Sequence, residues 1–183
     1  MIRILAGLAA VLALAACAGG GTPSLHRVEV APDAAPALGL LNLGHPQAGV
    51  YTSGRIGGDE VGGLEAAGIR HVIDLTAAAE TPGFDEATAL HAAGIGYDNL
   101  PVAGPQDLTR EHVLAFDALL RDAGRPLLVH CASGNRVGAM AALRAAWVEG
   151  KPADAAIAIG QAWGLQSLED EVRRRIESGA ADQ

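Results

Sequence analysis

The 183 residues carry 13 Lys and Arg against 21 Asp and Glu, a formal net charge of −8, and half are hydrophobic although aromatics make up only 3%. This length suits one globular domain with a real core plus appendages, and alanine, leucine and valine must fill that core. An acidic surface excludes nucleic acid and anionic membrane as partners of the surface as a whole, so any anionic substrate must be drawn in locally.

The two cysteines, Cys17 and Cys131, have separate contexts. They are not expected to pair, and no metal-ligand spacing and no cofactor motif accompanies them.

Residues 1–16 read as a signal peptide: Arg3, then an apolar run from Ile4 to Ala16 that is too short to span a bilayer. The run ends Leu14-Ala15-Ala16-Cys17, which resembles the bacterial lipobox. That resemblance implies cleavage before Cys17 and lipidation of its thiol. Alanine and glycine follow, with no aspartate to signal inner-membrane retention. The expected address is therefore the cell envelope, lipid-anchored in the periplasm at the outer membrane, with the lipid as the only membrane contact. Residues 17–38 read as a Gly/Ala/Pro-rich linker, with a short strand at 27–30 as an option, and residues 39–180 as the catalytic domain.

Within the domain, elements alternate. Residues 49–56 open it as strand or turn, and 59–67 read as a helix stopped by Gly68. A strand at 69–75, a helix at 85–93 stopped by Gly94 and a strand at 95–100 follow. Thr109 can N-cap a helix reaching Ala123, with Gly124 after it, ahead of a strand at 127–129. Glycine just past each helix supplies the left-handed residue that helix ends favour. Helices are expected at 136–149, from Pro152 to about Ala162, and through Ile176 after a capping box at Ser167-Leu168-Glu169-Asp170. Trp147 and Trp163 are expected to pack these helices. Strands alternating with helices imply an α/β fold, a parallel central sheet flanked by helices on both faces, with ligands beyond the carboxyl ends of the strands.

Cys131 lies at such an end. The stretch Leu127-Leu128-Val129-His130-Cys131-Ala132-Ser133-Gly134-Asn135-Arg136 runs from strand through loop into helix. A helix N-terminus presents unpaired N–H groups and the positive end of the dipole, so this loop is built to hold an anion. A cysteine in that field has its thiolate stabilised, and Arg136 adds a planar fork suited to a tetrahedral oxyanion. Cys131 is the candidate nucleophile and Arg136 its charged partner. Ala132, Ser133, Gly134 and Asn135 are candidate substrate-binding residues, through backbone N–H groups above all. Pocket walls are expected from loops near residues 52–58, 76–84 and 101–108, which lack a deep aromatic wall.

This loop resembles the active-site loop of the protein tyrosine phosphatase superfamily. Several segments are together similar, in order, to the phosphatase-like domain of the beta-lactamase hydrolase-like family, a bacterial branch of it. They are Tyr51-Thr52-Ser53-Gly54, Ala67-Gly68-Ile69-Arg70-His71-Val72-Ile73-Asp74-Leu75, Gly94-Ile95-Gly96-Tyr97 with Leu100-Pro101-Val102, and the His130–Arg136 loop. The resemblance implies that fold, a thiolate nucleophile at Cys131, and a supporting role for His130 in organising the loop. It also implies an aspartate general acid, for which Asp107 is the candidate, Asp98 a weaker one, and Asp74 an anchor at a strand end.

Two departures bear on the chemistry. Four residues separate Cys131 from Arg136 where tyrosine phosphatases have five, a spacing shared with rhodanese-like sulfurtransferases, and Val137 stands where phosphatases of this type carry a hydroxyl. On the sequence, the reading leans to persulfide sulfur transfer from a sulfane-sulfur substrate. The alternatives are hydrolysis of a small anionic phosphomonoester through phosphocysteine, and a non-catalytic envelope module that binds an anion.

Overall fold

The computed structural model describes residues 38–181. The expected signal peptide, the expected lipidation site Cys17 and the optional strand at 27–30 lie outside the described residues. Five strands form one sheet: β1 (Gly44–Gln47), β2 (Val50–Ser53), β3 (His71–Asp74), β4 (Gly96–Asn99) and β5 (Leu127–His130), in spatial order β1-β2-β5-β3-β4. Six helices accompany it: α1 (Gly58–Ala66), α2 (Glu86–Ala92), α3 (Arg110–Asp122), α4 (Asn135–Trp147), α5 (Ala153–Ala162) and α6 (Glu169–Ala181).

The side-chain period of two sorts the sheet into two cores. Val50, Ile73, Leu127 and Val129 face one way, onto Val113 and Phe116 of α3, Met140 and Leu143 of α4, Ile157 of α5 and Val172 of α6. Tyr51, Val72 and Leu128 face the other way, onto Leu64 of α1 and Leu90 of α2. Both faces are covered, so the strands read as continuous apolar runs. Each fully buried Leu, Phe or Met side chain stabilises the fold by roughly 1.5–3 kcal/mol. Trp163 is buried and Trp147 packs against the same core, as expected of both.

The sheet is not wholly parallel. β1 runs antiparallel to β2 at the edge, with an irregular register between Gly44 and Gln47. Its sequence, Gly-His-Pro-Gln, has no apolar alternation to announce a strand. Pro46 is tolerated there because an edge strand has a side that needs no donor. Helix boundaries shift modestly: Pro152 is the N-cap of α5 rather than its first residue, and α6 runs on to Ala181. Gly68, Gly94 and Gly150 take positive φ as helix-ending glycines should, but Gly124 does not. The chain leaves α3 through Ala123 in an extended conformation, so no left-handed residue is needed there.

Two features position the site. The four parallel strands end in register, Ser53 beside His130, His130 beside Asp74, and Asp74 beside Asn99, so the loops that follow them converge. On the helical side, α4 and α5 approach closely through glycine: a Cβ on Gly138 would lie 2.6 Å from the Gly160 carbonyl oxygen of α5 and 2.0 Å from the nitrogen of Leu165 just beyond it. That contact brings the segment joining α5 to α6 onto the catalytic loop, where a Cβ on Gly164 would stand 3.1 Å from the Gly134 carbonyl oxygen.

Candidate active site

Cys131 leaves β5 fully buried, and its backbone N–H donates to the Ser53 carbonyl (3.4 Å). Gly134 then turns the chain into α4 with φ +88°, a left-handed conformation that glycine alone adopts without strain. The turn aims the Gly134 N–H back at the nucleophile, where it donates to Cys131 Sγ at 3.1 Å. The sulfur thus sits at the amino end of a 13-residue helix, against an oriented N–H and the positive end of the dipole. Ser133 is exposed at the crown of the loop, and its carbonyl accepts from Asn42 Nδ2 at 3.0 Å.

Asn135 is placed differently from the expectation that its side chain serves the substrate. Its Oδ1 accepts from the Gln166 N–H (2.8 Å) and its Nδ2 donates to Ser167 Oγ (2.8 Å). The side chain is spent on holding the α5–α6 connection, and α6 begins at Glu169, two residues after Ser167.

Arg136 is fixed by Glu80, in a 3₁₀ turn (Ala78–Glu80) beyond β3. Nη1 and Nη2 donate to the two Glu80 oxygens at 2.7 and 2.6 Å, a bidentate pair, and Nη1 also reaches the Val102 carbonyl at 2.6 Å. This occupies one edge of the guanidinium. The other edge, Nε–H with the second Nη2–H, is not taken by Glu80 or by the Val102 and Leu75 carbonyls, and it is the fork left for a substrate oxyanion. The Arg136 hydrogen bonds, opposed by partial burial, hold the Glu80 carboxyl down at about 2. In return, Glu80 first and then the Cys131 sulfur push the Arg136 guanidinium above its ordinary value.

His130, on the other side of the nucleophile, is wholly buried, and its Nε2 donates to Glu86 Oε1 at 2.7 Å. An ionised carboxylate only accepts, so the partner fixes the proton on Nε2. Asp74 Oδ1 stands 3.6 Å from the same nitrogen. The Asp74 carboxylate already accepts from the Thr76 N–H and hydroxyl, the Tyr97 hydroxyl and Asn99 Nδ2, which makes it the strand-end anchor expected. Burial, then the Asp74, Glu86 and Asp85 carboxylates, push the Tyr97 hydroxyl well above its usual range, so it stays a donor. Asp74, Glu86 and His130 form a compact buried donor set, in which His130 pairs with Glu86 and three hydrogen bonds converge on Asp74 Oδ2.

Of the acid candidates, Asp98 pairs with His71 at 2.7 Å on the β3–β4 ladder. Asp107 closes its own loop, accepting from the Ala103 N–H at 2.8 Å and Gln106 Nε2 at 3.3 Å. That loop carries Val102 onto Arg136, so Asp107 belongs to a segment touching the catalytic machinery. Val137, without a hydroxyl, is buried in the core.

Sequence reasoning missed Glu80 and Glu86. Glu80 left a signal, as the lone charge in an alanine-rich loop after the carboxyl end of a strand, in a stretch already expected to wall the pocket. Glu86 left none: a glutamate in the first turn of a helix is unremarkable until its burial is seen.

Comparison with known proteins agrees with this geometry. The family described as "Beta-lactamase hydrolase-like protein, phosphatase-like domain" matches residues 48–148. A beta-lactamase hydrolase-like protein of Agrobacterium fabrum is 34% identical over 77 residues, which are 40% of this chain and 18% of that protein. The match therefore spans less than a fifth of the relative's length. A Neisseria meningitidis protein assigned as a phosphatase shares the fold with TM-score 0.62 and 26% identity, over 73% of this chain and 95% of that one. One from Shewanella putrefaciens, also assigned as a phosphatase, gives TM-score 0.59 and 25% identity, over 77% and 94%. With its thiol at a helix N-terminus and its arginine fork beside it, the chain belongs to the phosphatase-like domain family of the beta-lactamase hydrolase-like proteins, within the protein tyrosine phosphatase-like fold.

Proposed function

We propose that this chain is a phosphomonoesterase working through a phosphocysteine. The observation that carries the reading is the Gly134 N–H on Cys131 Sγ beside the free edge of Arg136. That edge offers two parallel donors at fork spacing, which match two phosphoryl oxygens. The resemblance to proteins assigned as phosphatases supports it further. The lean toward sulfur transfer, drawn from the loop length and Val137, gains no support from these relatives.

In the first step the Cys131 sulfur attacks phosphorus, the P–O bond breaks, and the departing oxygen takes a proton from Asp107. In the second, water gives a proton back to the Asp107 carboxylate as its oxygen attacks phosphorus, and the S–P bond breaks, releasing phosphate and restoring the thiolate and the acid. Loop N–H groups and Arg136 stabilise the charge on the equatorial oxygens in both steps.

The test is parallel assay of aryl-phosphate hydrolysis and thiosulfate-to-cyanide sulfur transfer, with Cys131→Ser as control. Vanadate-sensitive hydrolysis that depends on Cys131 is expected, and Cys131-dependent sulfur transfer without hydrolysis would overturn the reading. With neither, the loop is an anion-binding module. Asp107→Asn is expected to lower kcat by roughly 10²-fold on phenyl phosphate and less on 4-nitrophenyl phosphate, whose leaving group needs no acid. On its N-terminal sequence we place the enzyme on a lipid anchor at the outer membrane; metabolic labelling with a radioactive fatty acid that survives Cys17→Ser would refute that placement.

A further inference from the structure

The mouth of the site holds a second cation that the reacting phosphoryl group does not use. Arg55 lies two residues beyond β2, and its backbone N–H donates to the Ala132 carbonyl at 3.2 Å, which ties it to the catalytic loop. Gly54 makes the approach possible: a Cβ there would stand 3.1 Å from the Ala132 oxygen and 2.9 Å from Leu41 Cδ2. The Arg55 side chain is 45% exposed, and its Nη2 stands 3.8 Å from Glu80 Oε2, whose carboxylate already pairs with Arg136 at 2.6 Å. Among the described residues no hydrogen bond engages the Arg55 guanidinium.

Arg55 and Glu80 line one cleft of about 440 Å³ with Ile56, Gly57, Thr81 and Phe84. The Glu80–Arg136 pair is neutral as a unit, which leaves Arg55 as the cation of this cleft that no hydrogen-bonded pair holds among the described residues. The amino end of α1 opens on the same cleft, but Glu60 Oε2 already takes the Gly57 N–H at 2.8 Å, and Asp59 adds a further negative charge in the first turn. The anion-recognising group of the cleft is therefore Arg55 and not the helix end. Phe84, opposite, offers an apolar surface for the carbon skeleton between two charged groups.

We propose that Arg55 binds a second oxyanion, carboxylate or phosphate, on the leaving-group part of the substrate, so that the enzyme selects organophosphates carrying two anionic groups. This rests on the phosphomonoesterase reading. The test uses the full-length protein and its Arg55→Gln and Arg55→Lys variants on phenyl phosphate, 4-carboxyphenyl phosphate and 1,4-phenylene bisphosphate. The native protein is expected to favour one or both of the probes that carry a second anionic group over phenyl phosphate at least tenfold in kcat/KM, through KM. That ratio should fall to about one in Arg55→Gln and partly survive in Arg55→Lys. The probe that gains more distinguishes carboxylate from phosphate as the group recognised.

A ratio unchanged in Arg55→Gln, or no preference in the native protein, overturns the proposal. Should no phosphate be hydrolysed at all, calorimetric binding of phenylphosphonate and 4-carboxyphenylphosphonate to Cys131→Ser decides the matter separately. Tighter binding of the carboxylated compound, lost with Arg55→Gln added, upholds the Arg55 subsite even as the phosphatase reading fails. Equal affinities overturn both.

Discussion

Two glutamates six residues apart grip the residues on either side of the nucleophile, and they do so in opposite ways. Glu80 meets Arg136 in a partly exposed bidentate pair at 2.6–2.7 Å, both oxygens engaged. Glu86 meets His130 in full burial through one oxygen, while its Oε2 and the His130 Nδ1 have no hydrogen-bond partner. The first pair is open to water and can rearrange when a substrate arrives. The second is sealed and can only hold position, because a buried carboxylate that loses its partner has no solvent to turn to. On the proposed function the difference divides the labour: the Arg136 side would recognise charge, and the His130 side would keep the Cys131-bearing strand end in place.

The sealed side should show the larger energetic effect. Glu86→Ala leaves His130 Nε2 with only Asp74 Oδ1, 3.6 Å away and beyond hydrogen-bond distance, and is expected to cost about 3–5 kcal/mol of stability. Glu86→Gln keeps an oxygen to accept the Nε2 proton and should cost roughly 1–3 kcal/mol. Urea denaturation measures both. A cost for Ala no larger than that for Gln would show that the pair does not hold the fold, and the contrast with Glu80 would collapse.

On the open side, the effect falls on activity. Arg136→Lys replaces a fork with a point charge, so it cannot satisfy Glu80 and two substrate oxygens together. A loss of about 10²–10³ in kcat/KM is expected, with stability changed little, by analogy with removal of one transition-state donor. Kinetics beside a denaturation curve check this. A loss matched by equal destabilisation would mean that Arg136 serves the fold first.

The same contrast explains what the sequence made legible. The order of strands and helices was readable because apolar runs and helix-ending glycines are local signals. Cys131, Gly134 and Arg136 were readable because strand, loop and helix start are contiguous. Arg136 and Glu80 are 56 residues apart, and His130 and Glu86 are 44 apart; only the in-register ends of the strands bring them together. No periodicity marks a polar residue that a distant loop will bury. β1 stayed hidden because Gly-His-Pro-Gln pairs by its backbone at an edge and contributes little apolar surface. Asn135 sat at the right position for a substrate contact, yet its side chain turns to the α5–α6 connection, a choice set by the glycine-mediated approach of α4 and α5.

The smallest expected effect is also the one that tests whether charge or shape matters at Glu80. Its folded-state carboxyl is lowered from 4.5 to about 2, principally by the Arg136 hydrogen bonds. A carboxyl lowered on folding stabilises the protein fully above its unfolded value, and the gain is lost as pH falls from about 4.5 towards 2. The full shift would correspond to roughly 3 kcal/mol, but Glu80 is open to solvent and screening reduces the contribution to about 1 kcal/mol. Glu80→Gln should therefore lower stability by about 1 kcal/mol at pH 7, and the gap from the native protein should close progressively below pH 4. Urea titrations of both proteins across pH 2–7 measure the gap directly. If it persists unchanged at the acid end, Glu80 holds Arg136 by shape alone, and the open side of the nucleophile is built on the same terms as the sealed one.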